Sequence, residues 1–273
     1  MKPALSQVCS LDSPFEQDIA GYAAGECRAI ELWVGKLDAY LEKHSEDDLR
    51  RLLEKHEVTA PVASFQGGLL ASQGEFRRQH WDAFEKRLAQ CRALGIGTLV
   101  VAPDATGPLG QQDVDRVQMS LRQAAELAGR HDVRLALEFQ ARSALVNNLQ
   151  TAAALVAETA DAHLGICLDA FHYTVGPSKP EDLAYLSADN LFHVQLCDLA
   201  GVAREFATDA DRILPGDGDM HLAPLIARLT EIDYRGCVSI ELMNPQIWRV
   251  GPLRFGEIAM TALEKILGQA SMD

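Results

Sequence analysis

The chain has 273 residues, a formal net charge of −14 at pH 7 and six scattered cysteines with no CxxC pair. The acidic balance disfavours a broad phosphate-binding surface, and no apolar run is long enough to span a bilayer, so we expect neither a nucleic-acid nor a membrane partner. The N-terminal segment lacks the pattern of a secretion signal, which predicts a cytoplasmic protein with reduced thiols.

Strand-like and helix-like segments alternate along the whole chain. Short apolar runs bounded by turn residues predict strands over residues 4–9, 29–34, 58–65, 98–102, 133–139, 164–170, 191–198 and 237–243. Amphipathic patterns predict helices over residues 36–56, 75–94, 111–131, 149–159, 223–232 and 253–267. The alternation predicts the α/β class and a single (β/α)8 TIM barrel, formed by one domain over residues 1–273. An open doubly wound sheet is the main alternative, but no GxGxxG motif follows the first strand.

The last four predicted strands share one unusual feature. Each is an apolar run interrupted near its end by a side chain that can bind a cation, namely Glu138, Asp169, Gln195 and Glu241. A carboxylate in a strand buried on both faces is costly unless something compensates its charge. Since consecutive barrel strands are neighbours and reactive groups gather at their C-terminal ends, we expect these four side chains to share one metal ion.

The chemistry of this set indicates a hard cation. Three carboxylates and one amide oxygen favour Mg²⁺ or Mn²⁺, with Co²⁺ or Zn²⁺ as alternatives. Taken singly, each residue has an ordinary structural interpretation. Glu138 and Glu241 would then pair with arginines, and Asp169 would cap the following helix.

Four motifs resemble those of the xylose-isomerase-like barrel superfamily of sugar and cyclitol isomerases, epimerases and dehydratases. They are Ala136-Leu-Glu-Phe139, Leu168-Asp-Ala-Phe-His172, Asp211-Arg-Ile-Leu-Pro-Gly-Asp-Gly218 and Val238-Ser-Ile-Glu-Leu242. Within this superfamily, the chain is most similar to the inosose (2-keto-myo-inositol) isomerase group. The resemblance implies metal ligation by Glu138, Asp169, Gln195 and Glu241, and substrate contact by His172 and Arg212. It also favours a homo-oligomer.

One position departs from the usual family pattern. Most members carry histidine at the third ligand position, where this chain has Gln195. Glutamine there resembles some bacterial 3-dehydroshikimate dehydratases, which keeps a dehydratase as the second hypothesis. Gln140 stands where some of those dehydratases carry a histidine base, and this difference weakens that hypothesis in turn.

The leading hypothesis is a metal-dependent isomerase or epimerase of a keto-sugar or ketocyclitol. A metal that binds a ketone oxygen and the adjacent hydroxyl acidifies the C–H between them and stabilises the resulting enediolate. We expect Glu138 and Glu241 to move the proton as catalytic groups. The segment after strand eight does not resemble a phosphate-binding loop, so a non-phosphorylated substrate is expected. A repair nuclease and a non-catalytic sugar-binding barrel are the other classes considered.

Three further side chains are candidates at the mouth of the barrel. His172 is expected in the loop after strand six, as a substrate contact or proton relay, or packed beneath Tyr173. Arg212 is expected to bind an oxygen-rich substrate, with an ion pair to Asp217 or Asp219 as the alternative. Trp248 is predicted to cover the substrate pocket or to pack on the surface, whereas His193 is predicted to be a core residue.

Overall fold

The computed structural model describes residues 1–269 and contains eight parallel strands in a closed barrel, in the order β1 to β8. The strands are β1 (Lys2–Ser6), β2 (Ala29–Trp33), β3 (Thr59–Gln66), β4 (Thr98–Val101), β5 (Arg134–Glu138), β6 (Leu164–Asp169), β7 (Leu191–Leu196) and β8 (Cys237–Ile240). The predicted (β/α)8 barrel is thus confirmed. Most of its strands are apolar on both faces, as expected for parallel strands covered by helices.

Ten α-helices are present among residues 1–269. They are α1 (Phe15–Ala24), α2 (Val34–Leu41), α3 (Glu46–Lys55), α4 (Gly74–Leu94), α5 (Gln111–Arg130), α6 (Leu149–Thr159), α7 (Ala170–Val175), α8 (Ala223–Glu231), α9 (Pro245–Trp248) and α10 (Pro252–Gln269). Short 3-10 helices cover Gln7–Ser10, Pro180–Tyr185 and Asp209–Asp211.

Several predictions of secondary structure differ from the structure; for example, the strand predicted over residues 237–243 ends at Ile240, so Glu241 follows it. The first strand ends at Ser6, because the Ser6 side chain accepts a hydrogen bond from the Val8 amide and starts a 3-10 helix. The helix predicted over residues 36–56 is two helices, since Ser45 and Asp48 form a capping box that begins α3. His172 lies in the short helix α7 and not in a loop.

The chain divides into two compact units. Among the described residues, the first comprises Met1–Val62 and residues 194–269. In it, β1 pairs with β2 and with β8, and β7 pairs with β8 in a register that sets Gln195 opposite Ser239. Helices α1 and α10 approach closely at Gly21. Any larger side chain there would not fit, because its Cβ atom would lie only 2.6 Å from the Cβ atom of Pro252. These contacts hold the two terminal helices of the first unit together.

The second unit comprises Ala63–His193. Its strands β4, β5 and β6 pair in parallel, and Glu138 at the end of β5 stands opposite Cys167 in β6. Asp169, the last residue of β6, lies two residues further along. The ends of these neighbouring strands therefore present two acidic side chains close together.

Candidate functional site

The second unit brings three potential metal ligands together. One donor atom each from Glu138, Asp169 and His172 lies within 4.8 Å of the other two. Glu138 and Asp169 are buried, at 4% and 0% exposure, and His172 is partly exposed. The cluster contains two of the four predicted metal ligands and adds the imidazole of His172, which the sequence predicted as a substrate contact or proton relay.

Asp169 has a structural role beside its predicted chemical one. Its Oδ1 atom accepts hydrogen bonds from the backbone amides of Phe171, at 2.6 Å, and His172, at 3.2 Å. Asp169 therefore caps α7, as the structural alternative supposed. Because the cap begins the helix, it also sets the position of His172 in the first turn, beside the carboxylate.

Glu138 is held by its own loop. The Gln140 side-chain amide donates a hydrogen bond of 2.6 Å to Glu138 Oε2. A carboxylate oxygen is a strong hydrogen-bond acceptor, so this contact orients the acid. Gln140 therefore supports the predicted ligand.

The first unit contains a second cluster, centred on Gln195 in β7. The Gln195 Nε2 atom donates to Glu31 Oε1 and to Glu241 Oε1, each at 2.9 Å. Ser239 Oγ hydrogen-bonds to the other oxygen of Glu31. All four residues are at most 5% exposed, and together they form a buried network of two carboxylates linked by one amide.

Arg212 binds within this second cluster. Its Nη1 atom lies 2.9 Å from Glu241 Oε2, and its Nη2 atom lies 2.7 Å from Asp209 Oδ1. The arginine is 1% exposed and is the largest of the fully buried side chains described. The predicted ion-pair alternative named Asp217 or Asp219; the partners are instead Asp209 and Glu241. The predicted substrate contact stays a prediction.

Asp198 shapes the loop that carries Arg212. Its Oδ1 atom accepts from the amides of Leu199 and Met220, and its Oδ2 atom accepts from the amide of Gly216, each at 2.9 Å. Gly216 has φ +90°, a conformation that favours glycine. This acid therefore acts as a loop scaffold, and it needs no other function to explain its burial.

Two other predicted positions have clear surroundings. Trp248, in α9, donates from its indole nitrogen to the Val8 carbonyl at 2.8 Å, which anchors the short helix. His193, in β7, is fully buried, as predicted for a core histidine. The role of Trp248 in covering a substrate stays a prediction.

A thiol in the first unit also has a structural role. Cys9 Sγ donates to the Ile240 carbonyl at 3.4 Å and accepts from the Leu242 amide at 3.2 Å. Burial raises the pKa of Cys9 well above its ordinary value. The neutral thiol is a poor metal ligand and a poor nucleophile. The role of Cys9 is therefore structural, because its hydrogen bonds link the 3-10 helix Gln7–Ser10 to the residues on either side of Glu241.

Sequence analysis missed Glu31. It lies in the middle of β2, in the run Ala29-Ile-Glu-Leu-Trp33, and is fully buried. The signal was the same one that identified the other acids, namely a carboxylate inside an apolar strand. It was overlooked because it does not lie at the end of its run.

The donors of the first cluster suit a divalent cation. Ligand atoms on opposite sides of one ion with bonds of about 2.1 Å are about 4.2 Å apart. The donor atoms of Glu138, Asp169 and His172 lie within 4.8 Å of one another, a separation close to that of two ligand atoms on one ion. Two carboxylates and one imidazole form a set that Mn²⁺, Zn²⁺ or Co²⁺ accepts readily.

The barrel and its acidic strand ends define the class, and the chain belongs to the xylose isomerase-like TIM barrel family, whose model matches residues 21–262. The family resemblance read from the sequence is thereby confirmed. The inosose isomerase of Bacillus velezensis is 26% identical over 260 residues, which cover 92% of this chain and 91% of that relative. The 3-dehydroshikimate dehydratase of Pseudomonas aeruginosa is 27% identical over 90% of this chain and 38% of its own, longer chain.

The fold of a zinc-bound relative is closely similar. The crystal structure of the IOLI protein with a bound zinc atom superposes with a TM-score of 0.93 and 23% identity over 99% of each chain. At this identity the likeness establishes the fold. Within residues 1–269, no helix combines the length and the apolar character needed to cross a membrane.

Proposed function

We propose that the protein is a divalent-metal-dependent isomerase or epimerase of a non-phosphorylated keto-sugar or ketocyclitol, such as an inosose. The observation that carries the proposal is the cluster of Glu138 and Asp169, at the ends of neighbouring barrel strands, with His172 in helix α7. Membership of the family and the inosose isomerases among its relatives support the reaction class.

We further propose Glu138, Asp169, Gln195 and Glu241 as the metal ligands, the set that the family resemblance implies. Their oxygen donors favour Mg²⁺ or Mn²⁺, while the imidazole of His172 keeps Zn²⁺ and Co²⁺ as alternatives. A bound divalent cation would polarise the substrate carbonyl and stabilise the negative charge of the enediolate.

The chain's own groups then move the proton. One of the two glutamates, Glu138 or Glu241, removes the proton next to the carbonyl, and the other returns one to the enediolate. Gln140 holds Glu138 through Oε2, and Arg212 holds Glu241 through Oε2. These contacts restrict the rotation of each carboxylate. His172, Arg212 and Trp248 are proposed as substrate contacts.

A dehydratase of the 3-dehydroshikimate type is the second candidate. Gln195 at the third ligand position and the Pseudomonas aeruginosa relative favour it. Such an enzyme would start with the same proton removal but would expel a β-hydroxyl group. The product would contain a new conjugated double bond and would absorb in the ultraviolet.

The test is solvent deuterium exchange. Metal-stripped protein is supplied with Mg²⁺, Mn²⁺, Co²⁺ or Zn²⁺ and incubated in D₂O with an inosose, with keto-sugars such as D-fructose, and separately with 3-dehydroshikimate. NMR detects deuterium next to the carbonyl, and ultraviolet absorbance detects a conjugated product. Metal-dependent exchange supports the isomerase or epimerase, and a conjugated product supports the dehydratase.

Variants connect the reaction to the site. Glu138→Gln is expected to lower the exchange rate by about 10²- to 10⁴-fold, the usual contribution of a general base. Glu54→Gln, on the exposed side of α3, is the matched control and should keep the rate. No exchange and no conjugated product with any of these substrates and metals would contradict the proposal.

The cellular setting is proposed as well. All six cysteines are free and buried, which fits the proposed cytoplasmic location. Cell fractionation and gel filtration of the purified chain would test this location and the predicted homo-oligomer.

A further inference from the structure

The position of Glu31 is unusual for a carboxylate that lies outside the predicted ligand set. It is 0% exposed in the centre of β2, where an apolar side chain would be expected. Burying a carboxylate is unfavourable unless its neighbours compensate for the lost water. Its contacts with the Gln195 amide and the Ser239 hydroxyl connect it directly to a proposed metal ligand.

The chemistry of the Gln195 amide determines which of its two ends contacts Glu31. A glutamine side chain has two N–H donors on Nε2 and an acceptor at Oε1, whereas an ionised carboxylate has acceptors only. The Nε2 atom of Gln195 donates one hydrogen bond to Glu31 and one to Glu241. Rotating the amide by half a turn would set Oε1 against two carboxylate oxygens, which repel it. The two acids therefore fix which end of the amide faces them.

We propose that Glu31 is a positioning residue that orients the Gln195 amide so that Oε1, the atom able to bind a cation, faces the metal. The proposal rests on the proposed function, in which Gln195 is a ligand. An amide nitrogen carries no available lone pair for a metal, so a reversed amide would lose the ligand. Carboxylates behind metal-bound histidines fix the ring in the same way.

The strands make this arrangement rigid. Gln195 and Ser239 are paired residues of β7 and β8, and Glu31 is paired with Ser6 across β2 and β1. Ser239 holds the second oxygen of Glu31, so the carboxylate cannot rotate away from Gln195 without losing that bond. Glu241, in contrast, follows β8 and also binds Arg212, so it is shared between two partners.

A double-variant cycle separates orientation from charge. Calorimetric titration of the metal-stripped full chain with Mn²⁺ gives the dissociation constant. Glu31→Gln removes the acceptor-only partner and is expected to weaken Mn²⁺ binding by about 10- to 100-fold, the usual effect of losing an outer-shell partner. In a Gln195→Glu background, both ends of the ligand are carboxylate oxygens. Orientation is then irrelevant, and the same Glu31→Gln change should weaken binding less than threefold.

Controls make each outcome decisive. Asp18→Asn removes another fully buried acid of the first unit that does not contact Gln195, and it should leave the Mn²⁺ dissociation constant unchanged. If Glu31→Gln does not fold, Ser239→Ala is used in its place. It should weaken Mn²⁺ binding several-fold in the chain that keeps Gln195, but not in the Gln195→Glu chain. Equal losses in both backgrounds, or no loss in either, would overturn the role of Glu31. Wild-type protein that binds none of the four metals would instead overturn the proposed function.

Discussion

Replacing Arg212 by methionine should destabilise the metal-free protein strongly and the metal-loaded protein much less. The arginine side chain is 2% exposed and its partner Glu241 is 6% exposed, so the pair is removed from water. Removing one partner of a buried pair costs about 3–5 kcal/mol, because the remaining charge stays buried without compensation. We expect a loss of about 3 kcal/mol in the free energy of unfolding, since Gln195 still donates to Glu241.

A cation on Glu241 would replace the charge that the arginine supplied. The Arg212→Met loss should therefore shrink when Mn²⁺ is present at about 100 times its dissociation constant, where binding itself adds about 2.7 kcal/mol. Urea unfolding followed by circular dichroism, with EDTA or with Mn²⁺, measures both losses. Asp209→Asn is the matched control; its carboxylate is 47% exposed, and the change should cost about 1 kcal/mol or less in either condition. A loss from Arg212→Met that is equal with and without metal would refute the reasoning.

Three other predictions concern metal choice, pH and helix capping. Gln195→His should shift binding from Mg²⁺ towards Zn²⁺, because imidazole is the softer ligand; competition titration measures this, and an unchanged preference would argue against ligation at this position. Burial raises the pKa of Asp18 from 3.8 to about 6, with Lys36 partly opposing the shift. The folded state therefore holds this proton more tightly than the unfolded state. The stability of wild type relative to Asp18→Asn should fall as pH rises from about 4 to about 6. Urea unfolding at several pH values measures this difference, and a difference that rises with pH would contradict the prediction. Ser45→Ala should cost about 1 kcal/mol of stability by removing the cap of α3, with no change in metal affinity in the same titrations.

The barrel could be predicted from the sequence because parallel strands covered by helices need continuous apolar runs. Runs such as the one around Ala136 and Leu137 show that pattern independently of the conformation of the loops. The bounds were harder to predict where a polar side chain ends an element. The Ser45 and Asp48 capping box divides a helix that amphipathic periodicity alone would continue, and the Ser6 hydroxyl ends β1 early.

The candidate site could be predicted only in part, for a physical reason. Acids at strand ends were visible because they interrupt apolar runs, and this pattern led to the prediction of Glu138, Asp169 and Glu241 as site residues. The hydrogen bonds among them depend on register and on loop paths, which the sequence does not state. The contact of Arg212 with Glu241 joins residues 29 positions apart. Glu31 contacts Gln195 across 164 positions, so its importance appears only in three dimensions.

Arg212 is held at both ends. Its guanidinium binds Glu241, and its backbone carbonyl accepts a hydrogen bond of 3.0 Å from the Asn244 side chain. Substitutions that shift the segment after β7 or the segment after β8 are therefore coupled during evolution. A substitution that moves one segment leaves a buried charge or a buried amide in the other without its hydrogen-bond partner. Directed evolution of substrate preference in this chain should succeed through paired changes in the two segments, and libraries that vary one segment alone should yield mainly unfolded protein.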